Sequence, residues 1–197
     1  MTYEEFYKEQ YPVLLKAEEQ LKNLITQFET NENKKKIAYC SSRIKSPESM
    51  KQKLLKKGEE PNAENAVSKV NDAVGIRVIT SFVDDIYKVA DLIEKQQDIH
   101  ILKIKDYVQQ PKKSGYQSLH LIVEVPVTYL DKTTAVRVEI QIRSVAMDYW
   151  AELDSQMCYK KDAGQLEAVE KATKQYADVI AGVDKKILEL RKKIQKM

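Results

Sequence analysis

The sequence predicts an α+β domain: a mixed sheet of about five strands flanked by helices, with a long helix at each end. Three observations predict it. Residues 136–143 alternate strictly, with Val136, Val138, Ile140 and Ile142 on one face and Arg137, Glu139, Gln141 and Arg143 on the other, as in a strand with one buried side. Residues 74–80 and 118–124 alternate in the same way. Around these runs apolar residues recur at helical spacing, so strands and helices interleave.

Taken in order, residues 2–30 read as one amphipathic helix, with Phe6, Leu14, Leu21, Leu24, Ile25 and Phe28 on its apolar side. The polar run from Asn31 to Lys36 reads as a loop. Residues 37–44 are short and β-compatible, ending near Arg43. Ser46 then offers an N-cap and Pro47 a first helical position, and Gly58 closes that helix. Residues 59–71 read as a polar connection to the strand 74–80. A helix follows near 83–96 on Ile86, Val89, Ala90 and Ile93, then a strand at 99–106. The basic turn 109–115 leads into strand 116–126, and a turn near Asp131-Lys132 leads into strand 134–143. Residues 144–160 are helical around Trp150 and Leu153. Residues 165–195 form a long helix carrying Leu166, Val169, Val179, Ile180, Val183, Ile187, Leu190 and Ile194. These elements make one domain: a helix and loop over 1–36, a core over 37–160 and a C-terminal helix over 163–197, with the end helices available for packing or for a partner subunit.

Composition narrows the class. With 197 residues, 32% charged and 43% hydrophobic, the chain has the profile of a soluble globular protein. A formal net charge of +3 does not single out a nucleic-acid binder. Cys40 and Cys158 have neither metal spacing nor a disulfide framework. With no signal peptide and no long apolar run, a reducing cytoplasm and no membrane are expected.

The chemistry sits on the polar sides of the strands. If they pair, Asp72, Arg77, His120, Glu139 and Gln141 gather into one patch. Six basic residues fall among the fifteen positions from Arg43 to Lys57, and Ser49, Lys53 and Lys56 lie near one another along the helix there. The segment suits a polyphosphate cradle or an ordinary solvated basic helix, and alone does not choose between them. Asp72 and Glu139 on separate strands, among Arg43, Lys53, Arg77 and Lys112, favour a shared anionic ligand with Mg²⁺, which is held by carboxylates together with substrate phosphates. Tyr116, after Lys112-Lys113-Ser114-Gly115, stands where it can stack a base. No phosphate-binding P-loop and no kinase signature is present.

Four ordered motifs carry a resemblance. They are Arg43-Ile44-Lys45-Ser46-Pro47-Glu48-Ser49, Asp72-Ala73-Val74-Gly75-Ile76-Arg77-Val78, Gly115-Tyr116-Gln117-Ser118-Leu119-His120, and Val138-Glu139-Ile140-Gln141-Ile142-Arg143 followed by Met147-Asp148-Tyr149-Trp150-Ala151. Together they resemble the nucleotidyltransferase-like synthetase domain of RelA/SpoT homologues, specifically the small alarmone synthetases of the RelQ and RelP type. The resemblance implies a pyrophosphokinase that moves the β,γ-diphosphate of ATP to the 3′-hydroxyl of GDP or GTP, releasing AMP and serving the stringent response.

By that resemblance Arg43 and Arg77 sandwich adenine, and Lys45, Ser49, Lys53 and Lys56 hold the ATP phosphates. Asp72 and Glu139 are the catalytic carboxylates and bind Mg²⁺, with Glu139 also able to accept the 3′-hydroxyl proton. Tyr116 stacks on guanine, while Lys112, His120, Gln141, Asp148 and Asp154 place the acceptor. A homotetramer built on the terminal helices and control by alarmone or single-stranded RNA are also implied.

The chain departs from the family around the acceptor. Gln117 stands where Arg is common, Asp148 where Asn is common, and Asp154-Ser155 where Glu-His is usual. Asp148 can accept from guanine N1–H and N2–H₂ but cannot donate to O6. These departures motivate an alternative, a pyrophosphokinase acting on an adenine nucleotide or a tRNA 3′ end; a different class altogether, a catalytically weak nucleotide- or RNA-binding regulator, is argued against by the intact Asp72 and Glu139.

Overall fold

The computed structural model describes residues 1–30, 36–158 and 163–197. The Asn31–Lys36 loop, apart from Lys36, and the side chains of Cys158 and Leu166 lie outside the described residues. The elements are α1 (Tyr3–Tyr7), α2 (Gln10–Thr30), β1 (Ile37–Ile44), α3 (Pro47–Lys56), α4 (Ala63–Ser68), β2 (Val74–Thr80), α5 (Val83–Glu94), β3 (His100–Asp106), β4 (Leu119–Tyr129), β5 (Lys132–Ser144), α6 (Val145–Cys158) and α7 (Ala163–Ile194). The five strands form one sheet in the order β1-β2-β5-β4-β3. β2 and β5 are parallel and the other pairs antiparallel, so the expected mixed α+β sheet is present.

Register sorts the sheet into two faces. Ile44, Val74, Val138 and Val123 pair in one row, and Ile76, Ile140 and Leu121 in another. All seven are buried in the main core. Leu14, Ala17, Leu21 and Ile25 of α2 join that core at helical spacing, as do Ile86, Val89 and Ile93 of α5. Each fully buried aliphatic side chain of this kind is worth about 1.5–3 kcal/mol relative to exposure. One-residue slippage of any strand would turn its polar set into this core, so the same burial that stabilises the sheet also aligns the polar face.

Four local differences from the expected elements have physical reasons. The N-terminal helix is two helices, because Lys8 takes φ 50 and its N–H bonds back to Glu4. Pro12 then falls in the first turn of α2, where a missing N–H costs nothing. The connection 59–71 contains the short helix α4, capped by Asn62 accepting from Asn65 N–H; its apolar contribution, Ala66 and Val70, is too sparse to show a period. The β4–β5 hairpin turns on Leu130-Asp131, both at positive φ, which matches the twist of a tight hairpin and lengthens both strands beyond their expected ends. Residues 116–118 precede β4 rather than belonging to it; there Gln117 Nε2 donates to Val108 O at 3.0 Å. Of the two expected core residues on α6, Trp150 is buried and Leu153 only partly so. No helix among the described residues is long and apolar enough to cross a membrane.

Candidate active site

The polar face of the sheet is arranged in rows fixed by register. Arg43, Gly75 and Glu139 are direct partners across β1, β2 and β5. One step along, Ser41, Arg77, Gln141 and His120 pair across β1, β2, β5 and β4. Period-two alternation on each strand therefore brings side chains distant in sequence onto one floor. A cleft of about 200 Å³ opens over it, lined by Arg43, Asp72, Arg77, Glu139 and Gln141 together with Ser41 and Ser42. Gly75 keeps the floor bare between Arg43 and Glu139.

Asp72 sits just before β2, at one end of the cleft. Its Oδ2 receives Lys53 Nζ at 2.7 Å and Lys45 Nζ at 3.1 Å. Lys53 arrives from the last turn of α3, whose first turn is set by Ser46 accepting from Ser49 N–H and by Pro47. Lys45 is held in place through its backbone: its N–H donates to Ala73 O, and its carbonyl accepts from Tyr7 Oη at 2.7 Å. Ser49 Oγ bonds to Ser46 Oγ, and Lys56 is exposed on the same helix. Asp72 Oδ1 is buried without a hydrogen-bond partner.

Glu139 anchors the other side. Burial pushes its carboxyl up, but His120 and Gln141 on its oxygens, with the charges of His120 and Lys53, outweigh this and hold the pKa down to about 2. Gln141 Nε2 donates to Glu139 Oε2 at 2.7 Å, and His120 Nδ1 lies 3.5 Å from Oε1. The contacts continue into a closed ring. Tyr116 Oη meets His120 Nε2 at 2.9 Å, and Arg143 donates through one nitrogen to Tyr116 Oη at 2.7 Å and to Gln141 Oε1 at 2.6 Å.

The basic turn 109–115 is built against this ring. Lys112 Nζ stands over the rings of Tyr107 and Tyr116, 5.0 and 4.6 Å from their centroids, so a base stacking on Tyr116 would share the ring with that ammonium. Gly115 takes φ 82, and a Cβ there would lie 2.2 Å from Ala177 Cβ on α7. The loop is thus pressed onto α7 at a point only glycine fits. Ser114 Oγ reaches Asp154 at 3.4 Å. Asp148 faces β1 instead of open solvent: it bonds Tyr39 Oη and Arg143 (3.1 Å) and lies 3.5 Å from Arg77. Burial, then the bond to Asp148, pushes the Tyr39 hydroxyl up to about 12.

Arg43, Asp72, Arg77, Glu139 and Gln141 are therefore brought together, with His120, Tyr116 and Lys112 adjoining and Asp154 behind the loop. Sequence reasoning did not select Arg143, Tyr39 or Tyr107. Arg143 had a signal, since it continues the polar side of β5 two residues past Gln141. Tyr39 had none, because nothing local says that β1 runs beside α6.

The oxygen chemistry suits a hard divalent cation. Asp72 has a buried oxygen with no partner, and Glu139 is held ionised on the same cleft. No group of three His, Cys, Asp or Glu among the described residues is placed to hold a metal. A cation held by these two carboxylates would need its remaining positions filled by phosphate oxygens and water, as Mg²⁺ commonly requires.

Comparison with known proteins agrees with this geometry. Residues 42–164 match the family model described as the region found in RelA / SpoT proteins. The chain is 39% identical over 158 residues to the GTP pyrophosphokinase YwaC of Bacillus subtilis, covering 80% of this chain and 75% of that one. The crystal structure of small alarmone synthetase 2 from Bacillus subtilis superposes with a TM-score of 0.85 at 36% identity, over 95% of this chain and 98% of that chain. Small alarmone synthetase 1 from the same organism, bound to its product pppGpp, superposes at 0.83 with 27% identity, over 94% and 96%. The cleft, the fold and these matches together place the chain in the RelA/SpoT family, alongside its small alarmone synthetases.

Proposed function

We propose that the chain is an ATP:GTP/GDP 3′-pyrophosphotransferase making the alarmone (p)ppGpp and AMP. The observation that carries this is the row register that sets Arg43, Arg77, Glu139 and Gln141 around one cleft with Asp72, in a chain of this family. The ribose 3′-oxygen of the acceptor attacks the β-phosphorus of ATP, the bond from that phosphorus to the α-bridging oxygen breaks, and AMP leaves. Arg43 and Arg77 reach over the cleft from neighbouring strands and bracket the adenine with planar guanidinium groups. Lys45 and Lys53, now on Asp72, turn to the polyphosphate, and Ser49 and Lys56 extend the cradle along α3.

Asp72 and Glu139 would hold Mg²⁺, which supplies charge neutralisation at the phosphates. Glu139, kept ionised by its partners, accepts the hydrogen bond of the 3′-hydroxyl and draws off its proton as the bond forms. Tyr116, with Lys112, His120, Gln141 and Asp154, positions the guanosine. Catalysis then rests on alignment and charge more than on covalent chemistry.

The exposed residues Tyr176, Val179, Val183, Ile187, Leu190 and Ile194 follow one another along α7 at helical spacing. That stripe favours a homo-oligomer in which α7 is covered by another copy. The core would be residues 37–160, flanked by the helices of 1–36 and 163–197.

The test is turnover of labelled ATP with Mg²⁺, offering GDP, GTP, GMP, ADP, ATP and tRNA separately. AMP release with a 3′-diphosphate on GDP or GTP is expected. Transfer confined to an adenine nucleotide or tRNA would replace the function while keeping the mechanism, and no transfer to any acceptor would refute the enzyme.

A further inference from the structure

Arg143 does not line the cleft, yet it touches more of the site than any residue that does. Its side chain is 5% exposed. Nε donates toward Ser118 Oγ at 3.4 Å, one terminal nitrogen to Asp148, and the other to both Tyr116 Oη and Gln141 Oε1. Its guanidinium carbon also lies 5.2 Å from the Tyr116 ring centroid. A cation buried this deeply is costly unless its donors are used, and here the planar fork is used on three sides.

These contacts define roles for its neighbours. Because Gln141 Oε1 is held by Arg143, its amide nitrogen is aimed at Glu139. Because Arg143 and His120 both bond Tyr116 Oη, the phenol is fixed between them and the His120 ring is set with Nδ1 toward Glu139. One guanidinium thus orients both groups that hold Glu139 and the ring offered to the acceptor base. Through Asp148 it also reaches Arg77 on the donor side.

We infer that Arg143 is a positioning residue for the acceptor half of the site, aligning Tyr116 and Gln141 so that the guanosine 3′-hydroxyl meets Glu139. This rests on the pyrophosphotransferase reading above. A buried arginine serving only as structural glue would lower stability without separating the two substrates.

The test is steady-state kinetics with ATP and GDP on Arg143→Lys and Tyr116→Phe, with thermal melts alongside. Lysine keeps the charge but loses the fork, so R143K is expected to raise KM for GDP at least 10-fold, leave KM for ATP within twofold, and melt as a folded protein. Y116F removes only the hydroxyl that Arg143 holds. It is expected to raise KM for GDP with KM for ATP unchanged, and to add little to R143K in the double variant.

Equal changes in both KM values, full activity in R143K, or effects that multiply in the double variant would overturn the role of Arg143. If R143K does not fold, an unchanged KM for GDP in Y116F overturns it alone. Wild-type protein that transfers nothing to GDP would instead refute the underlying function.

Discussion

Substituting Gly115 with alanine tests whether the loop 109–115 rests on α7. Two separable costs follow from the structure. The first is backbone: φ is 82 at Gly115, and an L residue in left-handed conformation costs roughly 1–2 kcal/mol. The second is contact: the new Cβ would stand 2.2 Å from Ala177 Cβ, so loop or helix must retreat by more than an ångström, an overpacking cost of about 1–3 kcal/mol. Together G115A should lose about 3 kcal/mol, which for a chain of this size lowers Tm by about 6–12 °C. Thermal melts followed by circular dichroism measure it, with KM for GDP expected to rise because Tyr116 is the next residue. Ala177→Gly separates the costs. In that background the contact is gone, and adding G115A should cost only the backbone part, about 1–2 kcal/mol. If G115A costs the same with and without Ala177, the loop does not press on α7 and the reasoning fails.

Glu139→Gln should abolish transfer by about 10²-fold or more while the protein remains folded, as read by AMP release and by melting. The same variant has a pH signature. The folded pKa of Glu139 is about 2 against 4.5 for the free group, so the folded state binds the proton less tightly and ionised Glu139 stabilises above pH 4.5. That contribution, of order 3 kcal/mol by linkage, is lost as pH falls from about 4.5 to about 2; denaturation curves for wild type and E139Q should converge there. Asp184 behaves oppositely. Burial raises its pKa although Ser144 lowers it, so its ionisation weakens the fold as pH rises above 3.8, and D184N should melt at least as high as wild type at pH 7 and lose that slope. Arg43→Ala should raise KM for ATP about 10-fold or more, the loss expected for one stacked base, with KM for GDP within twofold; an equal rise for both substrates would contradict the donor assignment.

The sheet was legible because burial writes itself as period two. The alternations at 74–80, 118–124 and 136–143 named the faces correctly, and Arg43, Arg77, Glu139 and Gln141 came together because pairing two such strands in register leaves no choice of side. What was illegible depends on packing between distant elements. The break at Lys8 is a single residue at positive φ inside an otherwise helical pattern. Asp148 was read from its motif as an acceptor-binding group, and its partners Tyr39, Arg77 and Arg143, which come from β1, β2 and β5, could not be read from that motif. Arg143 was visible on the polar side of β5 but looked like the solvated end of a strand. Only the placement of Ser118, Tyr116 and Asp148 around it shows that the position is buried.

The charges of the site explain why it can wait for both substrates. Two carboxylates near one another repel, and each would be costly to bury alone. Here each is held by a different kind of partner. Asp72 is held by Lys45 and Lys53, whose long flexible stems end in point charges that turn readily to other oxygens. Glu139 is held by His120 and Gln141, which are themselves fixed by Tyr116 and Arg143. The arrival of a polyphosphate therefore changes the two sides differently. On the Asp72 side the lysines can be shared with the new anion, freeing carboxylate oxygens for a cation that arrives with it. On the Glu139 side nothing needs to move, and in the proposed reaction the carboxylate stays aimed where the 3′-hydroxyl would come. A movable donor side and a rigid acceptor side suit a reaction whose barrier is mainly alignment. The division also predicts where substitutions act: changes at Lys45 or Lys53 should appear first in the ATP dependence, and changes around Arg143 in the guanosine dependence.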